Sequence, residues 1–244
     1  MGEHRLFARR VFQYMISLFA RDGIIHLRLA GKSREMCFLL REGNIADYLV
    51  VGERVKGSYE IPGMTFREPP VRIVDGGANI GTFAIYAASV FPGVPVVCYE
   101  PEPANAALLR KAFAANGISA EIVEKGLWSR AGQLFFHPAQ SYSGSVSEIP
   151  SNYPIETVVI DAPDGCWLKL DVEGAEYEVL PPLIQAGGRP AVISLEVHDV
   201  NRRGTALTEV LMQAGYEIHG GWSAADTCAE ITAVHRRSAE YTVR

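Results

Sequence analysis

The segment Val71-Arg72-Ile73-Val74-Asp75-Gly76-Gly77-Ala78-Asn79-Ile80-Gly81 constrains this chain more than any other stretch. An apolar run ends in an acid, passes through a glycine-rich turn, and continues into residues 80–90, which have helical patterning. Parallel sheets use such joints at the carboxyl ends of their strands. Glycine lets a ligand approach the backbone, and the helix that follows aims its first N–H groups at it. The pattern is not the dinucleotide fingerprint G-x-G-x-x-G: counted from Gly76 the third position is Ala78, and counted from Gly77 it is Asn79.

The same grammar continues downstream. Strands are predicted at 71–74, 94–99, 120–123, 167–170 and 191–197, with helices at 80–90, 103–116, 175–186 and 207–214. Pro103 opens the second helix and Gly117 follows it, and Pro181-Pro182 is expected to kink or split the third. Residues 216–219 and 228–234 read as a terminal hairpin, and 127–165 as hairpin strands with a serine-rich loop. Alternation of this kind predicts a doubly wound α/β fold with a mainly parallel sheet. Residues 1–65 read differently: a helix carrying Leu6, Val11, Tyr14, Met15, Leu18 and Phe19, ended by Asp22-Gly23, then short strands at 24–29, 36–40 and 48–51. They are expected to form a small N-terminal α+β cap on a core of residues 66–244.

Physical chemistry favours one cofactor. A carboxylate at the tip of the first core strand repels a pyrophosphate and attracts a cationic amino group. S-adenosylmethionine offers an α-amino group and a sulfonium and carries no phosphate. One strand–helix–strand unit later, Glu100 ends the next strand, where a carboxylate can accept hydrogen bonds from both hydroxyls of a ribose. The fourth strand ends at Asp171, with Glu173 and Glu176 at the start of its helix, and Lys169 is placed to pair with a carboxylate. The fifth ends at His198, where a neutral imidazole is a good acceptor for a hydroxyl proton.

Three runs together carry a family resemblance: Asp75-Gly76-Gly77-Ala78-Asn79-Ile80-Gly81, then Tyr99-Glu100-Pro101, then Lys169-Leu170-Asp171-Val172-Glu173-Gly174-Ala175-Glu176. Over roughly residues 47–235 the chain resembles the FkbM family of S-adenosylmethionine-dependent methyltransferases. Weaker matches lie at Gly57-Ser58-Tyr59-Glu60, Gly126-Leu127-Trp128-Ser129 and Ile155-Glu156-Thr157. The resemblance implies a seven-stranded sheet with an antiparallel last strand, and O-methylation of hydroxyls on natural products, sugars or glycolipids.

The expected cofactor contacts are Asp75, Gly77, Asn79, Gly81, Glu100, Pro101, Gly126, Leu127, Trp128 and Asp171. The expected catalytic group is His198 as base, with Asp171 or Glu173 orienting it or the acceptor. Oxygen and imidazole ligands would suit Mg²⁺ or Mn²⁺ at Asp171, Glu173 and His198, but no metal is assigned. The acceptor pocket is expected from the irregular parts, 1–65, 137–153 and 199–204.

Composition excludes other classes. Hydrophobic residues make up 48% and charged residues 21%, which is globular and neither disordered nor fibrous. A net charge of −5 argues against a nucleic-acid acceptor, since a polyanion needs a basic face. No N/D-P-P-Y/F run follows the fourth strand, which argues the same way. The broken fingerprint and Asp75 argue against a nicotinamide oxidoreductase, and the intact motifs against a non-catalytic relative. Cys37, Cys98, Cys166 and Cys228 stand singly without zinc-ligand spacing and read as buried thiols of a reducing, cytoplasmic compartment. No apolar run reaches the length of a membrane span.

Overall fold

In the computed structural model, residues 15–31, 33–57, 64–138 and 144–241 are described. The chain begins with a three-stranded antiparallel sheet of β1 (Met15–Arg21), β2 (Ile24–Ala30) and β3 (Glu35–Arg41), followed by helix α1 (Ile45–Lys56) and the short β4 (Met64–Phe66). This corrects two expectations. Residues 15–21 form a strand, and the earlier part of the expected helix lies outside the described residues. Asp22 and Gly23 both have positive φ, 53° and 73°. They form the tight hairpin turn that Asp-Gly favours, so the pair joins two strands and does not end a helix. Tyr48 and Val51 lie on α1, not on a strand.

Core elements then alternate: β5 (Ile73–Gly76), α2 (Thr82–Val90), β6 (Val96–Tyr99), α3 (Pro103–Asn116) and β7 (Ala120–Val123). Next come β8 (Gly126–Leu127), β9 (Gly132–Pro138), β10 (Gly144–Ser147) and β11 (Pro154–Val158), a small second sheet in the order β10-β9-β11-β8. The chain returns to the main sheet with β12 (Trp167–Leu170), α4 (Glu176–Gln185), β13 (Val192–His198), α5 (Thr205–Gln213), β14 (Tyr216–Gly220) and β15 (Cys228–His235). A last strand, β16 (Ala239–Tyr241), pairs with β4.

The main sheet has seven strands in the order β14-β15-β13-β12-β5-β6-β7. Neighbours from β13 to β7 are parallel, and β15 runs antiparallel to both β13 and β14. The antiparallel strand therefore sits inside the sheet, and β14 forms the edge. Chain direction across the sheet reverses between β5 and β12, which opens a crevice at their carboxyl ends. Both strands are buried throughout. Central parallel strands are covered on two faces and so carry near-continuous apolar sequence. Asp75 and Lys169 break that rule and must compensate each other.

One face of the sheet packs on α4 and α5, the other on α2 and α3. Eight of the nine residues of α2, all but Val90, are buried, because the N-terminal strands cover its outer side. Phe38 and Leu39 of β3 share a core with Phe83 and Leu109. Asn116, at the end of α3, mimics a pairing strand against the β3 edge: its Oδ1 accepts the Cys37 N–H at 2.8 Å and its Nδ2 donates to the Cys37 carbonyl at 2.7 Å. Two further expectations change. Pro181 and Pro182 lie inside one continuous α4. A π-helical turn, Val200–Gly204, opens α5. Cys228 is exposed, while Cys37, Cys98 and Cys166 are buried. Among the described residues no helix is long and apolar enough to cross a membrane.

Candidate active site

The crevice widens into a cavity of about 750 Å³ bounded by four pieces of chain. The glycine turn supplies Gly77 and Asn79, and the tip of β6 supplies Glu100 and Pro101. Gly126 and Leu127 come from β8, and Asp171 and Glu173 follow β12. Eight of the residues named from sequence thus meet around one space. The outer wall is built by α1 and the second sheet, with Val50, Glu53, Phe136, Val146, Tyr153 and Ile155. Of these six only Ile155 falls in a motif match, although four lie in the segments expected to shape the acceptor pocket. No described residue of 199–204 lines the cavity.

The glycine turn is held by contact rather than by freedom alone. Gly77 has φ 75°, and a Cβ there would lie 1.7 Å from the Asp171 carbonyl oxygen. Beneath it, Lys169 Nζ donates to the Gly77 carbonyl at 2.6 Å and ion-pairs with Asp75 Oδ1 at 3.5 Å and Asp171 Oδ2 at 3.4 Å. Asp75 is wholly buried behind the turn and does not line the cavity, so its expected contact with a cofactor amino group is corrected. Burial raises its pKa and the Lys169 ammonium opposes that rise. Gly81 is corrected too: it caps α2 at φ 87°, and a Cβ there would lie 2.3 Å from Leu109, so it serves packing against α3. Trp128 does not line the cavity, which corrects its expected cofactor contact; it is half-buried against the core cluster on the α4 and α5 face of the sheet, and its backbone N–H donates to the Val158 carbonyl at 3.1 Å.

Glu100 is poised at the β6 tip. Its Oε2 accepts the Asn79 N–H at 2.7 Å and its Oε1 accepts the Glu102 N–H at 3.0 Å. Each oxygen keeps further acceptor capacity. Burial outweighs these bonds and pushes its pKa up to about 7. Asn105, which sequence reading did not single out, braces Glu102 at 2.9 Å and also accepts from Arg41 at 2.9 Å.

His198 does not line the cavity. Its Nε2 faces Glu173 Oε2 at 3.1 Å and its Nδ1 faces Glu176 Oε1 at 3.0 Å. Burial alone would lower the imidazole pKa, but hydrogen bonds and charge from Glu173 and Glu176 push it up to about 11. The free ring at neutral pH is therefore an imidazolium with both N–H groups engaged. The expectation that it accepts a hydroxyl proton is corrected for that reason. Glu176 is the group that sequence reading undervalued. Wholly buried, it also accepts the N–H groups of Val172 at 3.3 Å and Gly174 at 3.1 Å. These bonds flank Glu173, which adopts the left-handed conformation at φ 56°. Asp171, Glu173 and His198 each present one ligand-type atom, all within 4.8 Å of one another.

The Methyltransferase FkbM domain model matches residues 75–218. The chain belongs to this family. The match opens on Asp75, at the glycine turn, and runs into β14, so the cavity's motif residues all fall within the FkbM domain. No curated protein matches the chain. Among solved structures, the M. jannaschii TYW2 in complex with AdoMet is 12% identical, covering 92% of this chain and 90% of that one with a TM-score of 0.48. A precorrin-6y C5,15-methyltransferase from Geobacter metallireducens GS-15 is 16% identical, covering 68% and 82%, with a TM-score of 0.43. An Aeropyrum pernix fibrillarin with natively bound S-adenosyl-L-methionine is 15% identical, covering 90% and 99%, with a TM-score of 0.42.

Proposed function

We propose that this FkbM-domain protein transfers the methyl group of S-adenosylmethionine to a hydroxyl of a small molecule such as a natural product or sugar. The observation that carries this reading is Glu100. A buried carboxylate with spare acceptor capacity stands at the second strand tip, bonded to the glycine turn and facing a cavity that continues to Asp171 and Glu173. The ribose hydroxyls donate to Glu100. The adenine lies along Gly126 and Leu127, and the methionine end lies over Gly77 and Asn79.

Methyl transfer is an in-line displacement. The acceptor oxygen forms a bond to the methyl carbon, the carbon–sulfur bond breaks, and its electron pair stays on sulfur as S-adenosylhomocysteine leaves. Most of the rate comes from holding oxygen, carbon and sulfur in line. Asp171 and Glu173 are the carboxylates on the cavity wall that can orient the acceptor hydroxyl, and Glu173 takes its proton. His198 holds the Glu173 carboxylate in place. Glu53 and Glu102 also line the cavity, together with Glu124 and Glu156, which pair with Arg110 and Lys125; acids outnumber the lining bases Lys125 and Lys169, a poor surface for a polyphosphate chain. This supports a small acceptor over RNA or DNA.

The test is transfer of labelled methyl from S-adenosylmethionine to a panel of polyhydroxylated small molecules, run beside tRNA and rRNA fragments. Labelling of a hydroxyl in the first group is expected. Labelling of RNA alone would overturn the acceptor class.

A further inference from the structure

The geometry points to a divalent cation site formed by Asp171, Glu173 and His198 at the acceptor side of the cavity. These residues come from two adjacent strand tips, those of β12 and β13. Cis ligand atoms of a hard cation held at about 2.1 Å stand about 3 Å apart. Glu173 Oε2 and His198 Nε2 are 3.1 Å apart, and an Asp171 oxygen completes a set within 4.8 Å.

A second observation concerns Glu176, outside the ligand set. Its side chain is wholly buried and reaches into the same cluster, with Oε1 on His198 Nδ1, while Oε2 has no hydrogen-bond partner among the described residues. A carboxylate there is costly unless positive charge lies close by. Lys169 is already shared between Asp75 and Asp171. Glu196 adds further negative charge 3.9 Å from His198 Nε2. The His198 ring is the other cation of the cluster, set between Glu173 and Glu176, so a dication that replaces its Nε2 proton adds one positive charge to a group in which acids outnumber bases. Glu176 on Nδ1 is also the arrangement that orients a metal-binding imidazole, leaving Nε2 for the ion. On binding, the ring keeps its Nδ1–H on Glu176 and releases the Nε2 proton to solvent.

Two carboxylates and one imidazole suit Mg²⁺ or Mn²⁺ and leave coordination positions open. Resting on the methyl-transfer reading above, those positions would take oxygens of the acceptor, which favours acceptors with neighbouring oxygen donors. The cation would then lower the pKa of the hydroxyl to be methylated.

The test uses the full chain, stripped with chelator, with Mn²⁺ alone as probe and neither cofactor nor acceptor present. Titration followed by electron paramagnetic resonance is expected to show one micromolar site, with imidazole nitrogen coupling in the bound spectrum. His198→Asn and Glu173→Gln, checked for folding by circular dichroism, should each weaken binding at least about tenfold. Cys228→Ala should leave affinity unchanged. A wild-type dissociation constant above about 1 mM overturns the site. So does a bound spectrum without nitrogen coupling, or loss of binding in Cys228→Ala, which would put the ion on Glu196, His198 and Cys228 instead. Calorimetry with S-adenosylhomocysteine on the same samples separates the two ideas. Cofactor binding without Mn²⁺ binding removes the cation site alone, and Mn²⁺ binding without cofactor binding removes the methyl-transfer reading alone.

Discussion

Lys169 holds Gly77 from below: its ammonium donates to the Gly77 carbonyl at 2.6 Å while standing 3.5 Å from the buried Asp75 carboxylate. One side chain thus neutralises an acid inside the sheet and fixes the turn that bounds the cavity. Removing it strands a buried charge, which costs about 3–5 kcal/mol. Lys169→Met is expected to lose that much in chemical denaturation, and Asp75→Asn in the same background to recover part of it. A loss below about 1 kcal/mol would mean that the pair is not what holds the turn.

Gly77 tolerates no side chain. The Cβ of Gly77→Ala would fall 1.7 Å from the Asp171 carbonyl oxygen, beside the Asp171 N–H bond to the Gly76 carbonyl that ties the two strand tips together. Overpacking of this kind costs about 1–3 kcal/mol or more. The variant is expected to be less stable and to lose S-adenosylhomocysteine binding together. Wild-type stability in thermal unfolding would show that the two tips are looser than they stand here.

The N-terminal strands belong to the core. Phe38 is buried against the same cluster as Phe83 and Leu109. Phe38→Ala is therefore expected to cost about 3–5 kcal/mol in urea unfolding. Deletion of residues 1–44 should leave insoluble protein, because α2 would expose a face that is now covered. Soluble, cofactor-binding truncated protein would contradict this packing.

Much of this was legible in the sequence because the central strands are short apolar runs ended by acids and glycine. Asp75, Glu100 and Asp171 could be placed at strand tips without knowing any contact. What chain neighbours cannot show is which way a tip residue points. Asp75 turns inward to Lys169, and Glu100 turns outward to the cavity, though both end parallel strands. The sequence places Glu173 beside His198 but does not show that Glu176, from the same neighbouring strand tip, takes the second ring nitrogen, which leaves no free nitrogen to accept a proton. Met15–Arg21 carries apolar residues at spacings that fit a helix. Pairing with β2 decides otherwise, and Asp22-Gly23 is the hairpin signal in the sequence that marks that pairing. The cavity's outer wall is built by α1 and the second sheet, whose positions depend on tertiary packing alone.

The account stands on Glu100 binding the cofactor ribose, and its titration offers the most direct test. Its folded pKa of about 7 lies above the ordinary 4.5, so burial penalises the charged form. The free protein loses stability from this group as pH rises from 4.5 towards 7. Ribose hydroxyls donate to the ionised carboxylate, so binding favours the deprotonated form and affinity rises over the range where stability falls. Calorimetry with S-adenosylhomocysteine should show affinity about tenfold higher at pH 8 than at pH 6. Glu100→Gln should bind roughly 10- to 150-fold more weakly at pH 8 and lose that pH dependence. Equal affinity of wild type and Glu100→Gln, with the same pH profile, would contradict the placement of the cofactor in this cavity.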